Sequence, residues 1–96
     1  MFELTSFQRD LLYVIAGMDD PSGQEIKGRL EGILGEMSHG RLYPNLDTLV
    51  EEGLVEKGQI DRRTNYYRVT EAGREALRER REWENQAVEF LTGSAQ

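Results

Sequence analysis

Cysteine is absent from this 96-residue chain, which excludes disulfides, thiolate metal sites and thiol nucleophiles together. Histidine occurs once, as His39, and a lone histidine with no second ligand motif seldom makes a metal site. No Gly-rich phosphate loop is present, and no serine or threonine has a dyad partner in sequence. Carboxylates are plentiful but lie among arginines on helical stretches, which makes them a solvated face rather than an acid/base pair. No enzyme and no cofactor is therefore expected. No apolar run reaches the length of a membrane span, and the start MFELTSFQRD lacks the basic end and apolar core of a signal peptide. A soluble, cytoplasmic protein without a membrane partner is the expectation. A chain this short makes one small domain whose modest core would gain from burial against a partner.

Positive charge is also in deficit, with 12 basic against 18 acidic side chains and a net charge of −6, the wrong sign for an isolated nucleic-acid binder. Its distribution matters more than its sum. Residues 1–37 carry three basic and seven acidic side chains, residues 38–70 five of each, and residues 71–96 four and six. The central third is thus the least acidic. The acids are spread rather than clustered, as suits a solvated surface in a salty cytoplasm.

That central third contains Met37–Leu54, MSHGRLYPNLDTLVEEGL, which has a capped start, a stopped end and two dissimilar faces. Ser38 suits an N-cap and Gly53 a C′ position. Leu42, Leu46, Leu49 and Val50 fall on one helical stripe that has to be buried. Arg41, Pro44, Thr48 and Glu51 occupy the far side, with Asn45 on its flank. Arginine and asparagine near the start of a helix suit guanine and adenine edges in a major groove.

Around this helix the chain predicts two others. Thr5 with Gln8 forms a capping box for a helix over Ser6–Ala16 that buries Phe7, Leu11, Leu12, Val14 and Ile15. Ser22 with Glu25 repeats the pattern for a second helix, expected to bury Ile26, Leu30, Ile33 and Leu34 and to stop at Gly35. After Gly53 the pattern alternates, giving short strands at residues 54–57 and 66–69 with a polar loop at 58–65 between them. Such a hairpin after a reading helix is a wing, and its tip exposes Arg62 and Arg63 for phosphate or minor-groove contact. The fold class expected is mainly α (α+β): a winged helix-turn-helix with a three-helix core over residues 1–70.

Residues 71–96 are expected to form a long helix capped by Thr70. Ala76, Trp83 and Phe90 recur every seven residues, with Ala87 and Leu91 on adjoining rows, so the apolar stripe outruns the small core. Arg80 interrupts it and has Glu84 within pairing reach. A homodimer through this stripe is the expected answer to an aromatic surface on a soluble chain.

The run SHGRLYPNLDTLVEEGLVE, with PSGQEIKGRLE at residues 21–31 and YYRVTEAGREAL at residues 66–77, resembles the PadR-type transcriptional regulators over most of the chain. That resemblance implies a DNA-binding regulator, and a repressor, acting as a homodimer on an inverted-repeat operator in double-stranded DNA. In this reading Arg41, Asn45 and Thr48 face base edges, while Ser22, Gln24, Lys27, Ser38, His39, Tyr43, Arg62, Arg63 and Arg68 meet the DNA backbone. The family usually has Gly-Tyr-Glu-Ile where this chain has Gly23-Gln24-Glu25-Ile26, so an aromatic contact is not carried to Gln24. Some relatives bind aromatic or cationic small molecules at the dimer interface, which makes Trp83 a candidate effector surface, although packing is the usual role of one tryptophan in an apolar stripe. The alternative, favoured by the acidic total, is a winged-helix module that binds protein without DNA.

Overall fold

The computed structural model describes residues 4–92. Thr5 opens α1 (Ser6–Ala16) with both halves of the capping box in place: the Gln8 N–H donates to Thr5 Oγ1, and the Thr5 N–H donates to Gln8 Oε1, each at 3.1 Å. Phe7, Leu11, Leu12 and Ile15 enter the core, and Val14 packs partly against it. The turn that follows carries Asp20 at φ +44°, in the left-handed region. Ser22 and Glu25 then cap α2 (Gly23–Leu34) reciprocally. Ile26 and Leu30 are fully buried.

The expected burial of Ile33 and Leu34 does not hold, for these residues are 65% and 47% exposed. Gly35, at φ +89°, turns the chain and brings Met37 over the end of the core in their stead. The Met37 N–H donates to the Glu31 carboxylate at 3.1 Å, which fixes this turn and lowers the Glu31 pKa.

Ser38 caps α3 (His39–Glu51) by accepting the Arg41 N–H at 3.2 Å. Leu42, Leu46 and Leu49 are fully buried, each worth about 1.5–3 kcal/mol, while Val50 is partly covered. Gly53, at φ +75°, closes the helix: its N–H donates to the Val50 carbonyl and the Leu54 N–H reaches back to that of Leu49.

The wing consists of β1 (Val55–Gln59) and β2 (Asn65–Val69), antiparallel in the register Val55↔Val69 to Gln59↔Asn65. Both strands extend further toward the tip than the alternation predicts. The physical reason is Gly58, which lies opposite Tyr66 and has its Cα covered by that ring; a Cβ there would overlap it. A bridge between Ser22 and Tyr66, and a 2.9 Å bond from the Tyr67 N–H to the Pro21 carbonyl, sew β2 to the start of α2.

Thr70 joins the last two helices. Its hydroxyl donates to the Gly53 carbonyl at 2.6 Å and accepts the Gly73 N–H at 3.1 Å, which starts α4 (Glu71–Thr92). Gly73 packs directly on the Leu54 carbonyl, and Leu77 is buried. Tyr13 of α1 faces this helix, where burial and then the Glu84 carboxylate raise its phenol pKa. Beyond Glu84 the helix runs clear of the core with its residues to Leu91 exposed, and the molecule measures 56 × 29 × 23 Å. Among the described residues no helix is long and apolar enough to cross a membrane.

Candidate nucleic-acid interface

Three pieces of backbone meet at one face: the first turns of α3, the start of α2 and the shoulder of the wing. Tyr43 ties the first two together, because its ring lies across Gly23 where no side chain has room. His39 stacks on the same ring, with centroids 5.6 Å apart and planes at 10°. Between α2 and the wing is a cleft of ≈ 190 Å³ lined by Ser22, Gln24, Tyr43, Arg63, Thr64 and Asn65, among others. The structure thus brings together four residues expected to touch DNA backbone, Ser22, Gln24, Tyr43 and Arg63. Thr64 and Asn65 join them without having been foreseen, since a polar stretch carries no signal for where strand pairing resumes.

At the wing tip the Asp61 carboxylate accepts the Arg63 and Thr64 N–H groups at 2.8 and 2.9 Å. The Arg63 N–H is the chief cause of the lowered Asp61 pKa. A side chain that binds its own turn in this way fixes the loop, and Arg62 and Arg63 are presented exposed from it.

On the α3 face the polar side chains already have partners within the chain. The Arg41 guanidinium lies over the Phe7 ring, 4.2 Å from its centroid, in a cation–π contact. Asn45 Oδ1 accepts from Gln8 Nε2 at 2.9 Å and Asn45 Nδ2 donates to the Arg41 carbonyl at 2.6 Å. The Thr48 hydroxyl donates to the Pro44 carbonyl at 3.0 Å. Pro44 sits inside α3, where it removes one helical N–H donor. Ser38 spends its hydroxyl oxygen on the cap, and Lys27 pairs with Glu31 at 3.3 Å beside a depression that also includes Ser38.

Arg68 stands apart from this group. It alternates with Tyr67 along β2, and Tyr67 lines the cleft while Arg68 pairs with Asp20 and Glu56 on the other side. On α4, Ala76 is half-buried and Ala87 exposed, while Trp83, Phe90 and Leu91 are 49%, 83% and 81% exposed. Arg80 pairs with Glu84 at 3.2 Å, as its spacing suggested, and lies over the Trp83 ring at 4.4 Å.

A three-helix core whose third helix and wing share one polar face defines a winged helix-turn-helix DNA-binding protein. The chain belongs to the transcriptional regulator PadR-like family, whose profile matches residues 11–79. It is therefore a DNA-binding transcriptional regulator and not an enzyme. It is similar to the RosR protein of H. salinarum at 41% identity over 96% of this chain and 93% of that one, with a TM-score of 0.81. In a complex of that protein, hsRosR-SG, the identity is 46% over 88% of this chain and 76% of that one, with a TM-score of 0.84. MarR, at 23% identity over 93% of this chain and 63% of that one, shares the fold with a TM-score of 0.77. No curated protein matches the chain.

Proposed function

We propose that the protein is a homodimeric repressor that binds an inverted-repeat operator, with one reading helix in each half-site. The observation that carries this reading is the exposed stripe of Trp83, Phe90 and Leu91 on a helix that leaves the core while the domain offers one α3. A single major-groove contact on a protein of net charge −6 binds weakly at physiological salt, and two joined by a dyad do not. The half-sites are then about one helical turn apart, roughly 34–36 Å.

In this arrangement Arg41 projects to a base edge, flanked by Asn45 and Thr48. Ser22, Gln24, Tyr43 and Arg63 hold one phosphate run along their shared cleft, Arg62 meets the flank, and Lys27, Ser38 and His39 border the same path. Arg68 serves the wing rather than the DNA, because two carboxylates already hold it. An effector at Trp83 would compete with the Arg80 guanidinium for the ring or occupy the ≈ 420 Å³ concavity that Trp83 lines with Arg81 and Val88.

The deciding experiment is sedimentation of the protein alone and with a duplex selected from random sequence. A dimer that binds one duplex carrying two inverted half-sites supports the proposal. A monomer on a single half-site overturns it.

A further inference from the structure

The start of α1 is joined to the reading face of α3 by a chain of hydrogen bonds with a fixed direction. The Thr5 backbone N–H donates to Gln8 Oε1 at 3.1 Å, Gln8 Nε2 donates to Asn45 Oδ1 at 2.9 Å, and Asn45 Nδ2 donates to the Arg41 carbonyl at 2.6 Å. The chain begins at a backbone donor and ends at a backbone acceptor. Neither intervening amide can turn over alone, because that sets donor against donor at one end and acceptor against acceptor at the other. Turning both relocates the conflict to Thr5 and Arg41. The backbone at the two ends therefore dictates which atom of each amide points where.

This polarity bears on base reading. Adenine is recognised by an asparagine that offers its oxygen to N6 and its amide to N7 at once. Here the oxygen is turned inward to Gln8, and the amide is held by the carbonyl of the preceding turn. The residue before Gln8 acts on the same pair of turns, since Phe7, itself buried, lies under the Arg41 guanidinium at 4.2 Å. Two adjacent residues of α1 thus position two residues one turn apart on α3.

We propose that Gln8 is a specificity-determining residue of this regulator: acting through Asn45 it holds the first turns of α3, and with them Arg41, in reading position, while Asn45 serves this relay instead of reading adenine. The proposal rests on α3 being the reading helix, as proposed above.

Gln8→Glu is the informative variant. A glutamate oxygen keeps the bond from the Thr5 N–H and so preserves the α1 cap, but it places an acceptor against Asn45 Oδ1 and reverses the relay. Wild type, Gln8→Glu, Asn45→Ala and the double variant would each be put through selection from random duplexes, with circular dichroism as the check on folding. The added carboxylate weakens binding to every duplex, and Gln8→Glu is expected to lose roughly tenfold more affinity for the wild-type consensus than for a scrambled duplex. Asn45→Ala should disturb the same base positions, and the double variant should be no worse than Asn45→Ala alone. Selection of the unaltered consensus by Gln8→Glu at full affinity overturns the proposal, as does loss in Asn45→Ala of an adenine preference that Gln8→Glu retains.

The Asn45 side-chain amide resonances of the free protein give a readout that needs no DNA. Slow exchange in wild type that is lost in Gln8→Glu supports the relay, and identical exchange in the two proteins overturns it. If wild type selects no consensus, the reading role of α3 has failed, and these resonances still decide the relay.

Discussion

Arg68 and Asp20, 48 residues apart, face each other as fork to fork, with Nε on Oδ1 at 2.7 Å and Nη2 on Oδ2 at 2.5 Å. Glu56, the cross-strand partner of Arg68, takes the remaining arm at 3.3 Å, and the Tyr66 ring lies 5.3 Å beneath the guanidinium. Asp20 occupies a left-handed backbone position that an ordinary side chain resists, so its carboxylate holds both its own turn and the wing. The bond to Arg68 lowers the Asp20 pKa, and Asp20 in turn raises that of Arg68.

The first prediction is a pH dependence. Asp20, Asp61 and Glu31 all titrate below the ordinary carboxylate value in the folded chain, held down respectively by Arg68, by the Arg63 N–H and by the Met37 N–H. Their contribution is fully present above the unfolded values of about 4 and is lost as pH falls through the lower folded values. Urea midpoints should thus be flat with respect to these groups from pH 7 to about 5 and decline below about 4. Asp20→Asn should shrink that decline, and an acid limb identical to wild type would remove Asp20 from it.

Packing supplies the second. A Cβ on Gly73 would press on the Leu54 carbonyl and on Val69 Cγ1, and a backbone atom cannot swing aside as a side chain does. Gly73→Ala is expected to cost about 1–3 kcal/mol in a denaturant titration. Gly32→Ala, where nothing lies within 4 Å, is the matched control and should be neutral or stabilising.

Third, the two kinds of arginine should separate on DNA. Arg41→Ala is expected to lower affinity for the selected duplex by about 1–3 kcal/mol and to relax one base position per half-site. Arg62→Ala should weaken binding to all sequences and reduce the salt slope by about 1. Fluorescence anisotropy with selected and scrambled duplexes measures both, and equal losses for Arg41→Ala on the two duplexes would contradict its base-reading role.

Truncation after Arg81 is the fourth. It removes Trp83 and everything beyond while leaving the buried Leu77 turn in place. The shortened chain should keep its circular dichroism per core residue, sediment as a monomer, and retain only weak non-specific DNA binding. A truncated dimer would place the interface elsewhere, with α1 the next surface to test.

Much of this architecture was legible because its signals are local. Thr5 with Gln8, Ser22 with Glu25, Ser38 and Gly53 each act within a few residues of themselves, and all four helix boundaries they mark are observed. What was hidden depends on partners distant in sequence. Ile33 and Leu34 continue a helical stripe, but periodicity does not say where the neighbouring core ends, and Met37 ends it. Arg68 reads as one more wing cation until Asp20 is brought to it across 48 residues. Asn45 reads as a free amide until Gln8 arrives from 37 residues away.

The Thr70 hydroxyl, bonded at once to Gly53, which closes α3, and to the first turn of α4, makes those two helices a single crank. In a dimer built on α4, the angle at which each α3 enters its groove is then geared to the phase of the dimer seam. One residue inserted beyond Arg80 turns the seam by about 100° and advances it by about 1.5 Å, which throws the two half-sites onto different sides of the duplex. An insertion of seven residues returns the seam to within about 20° of register, at about 10 Å greater reach. Operator spacing in such proteins is therefore free to change in coarse steps along α4 and is barred from changing smoothly.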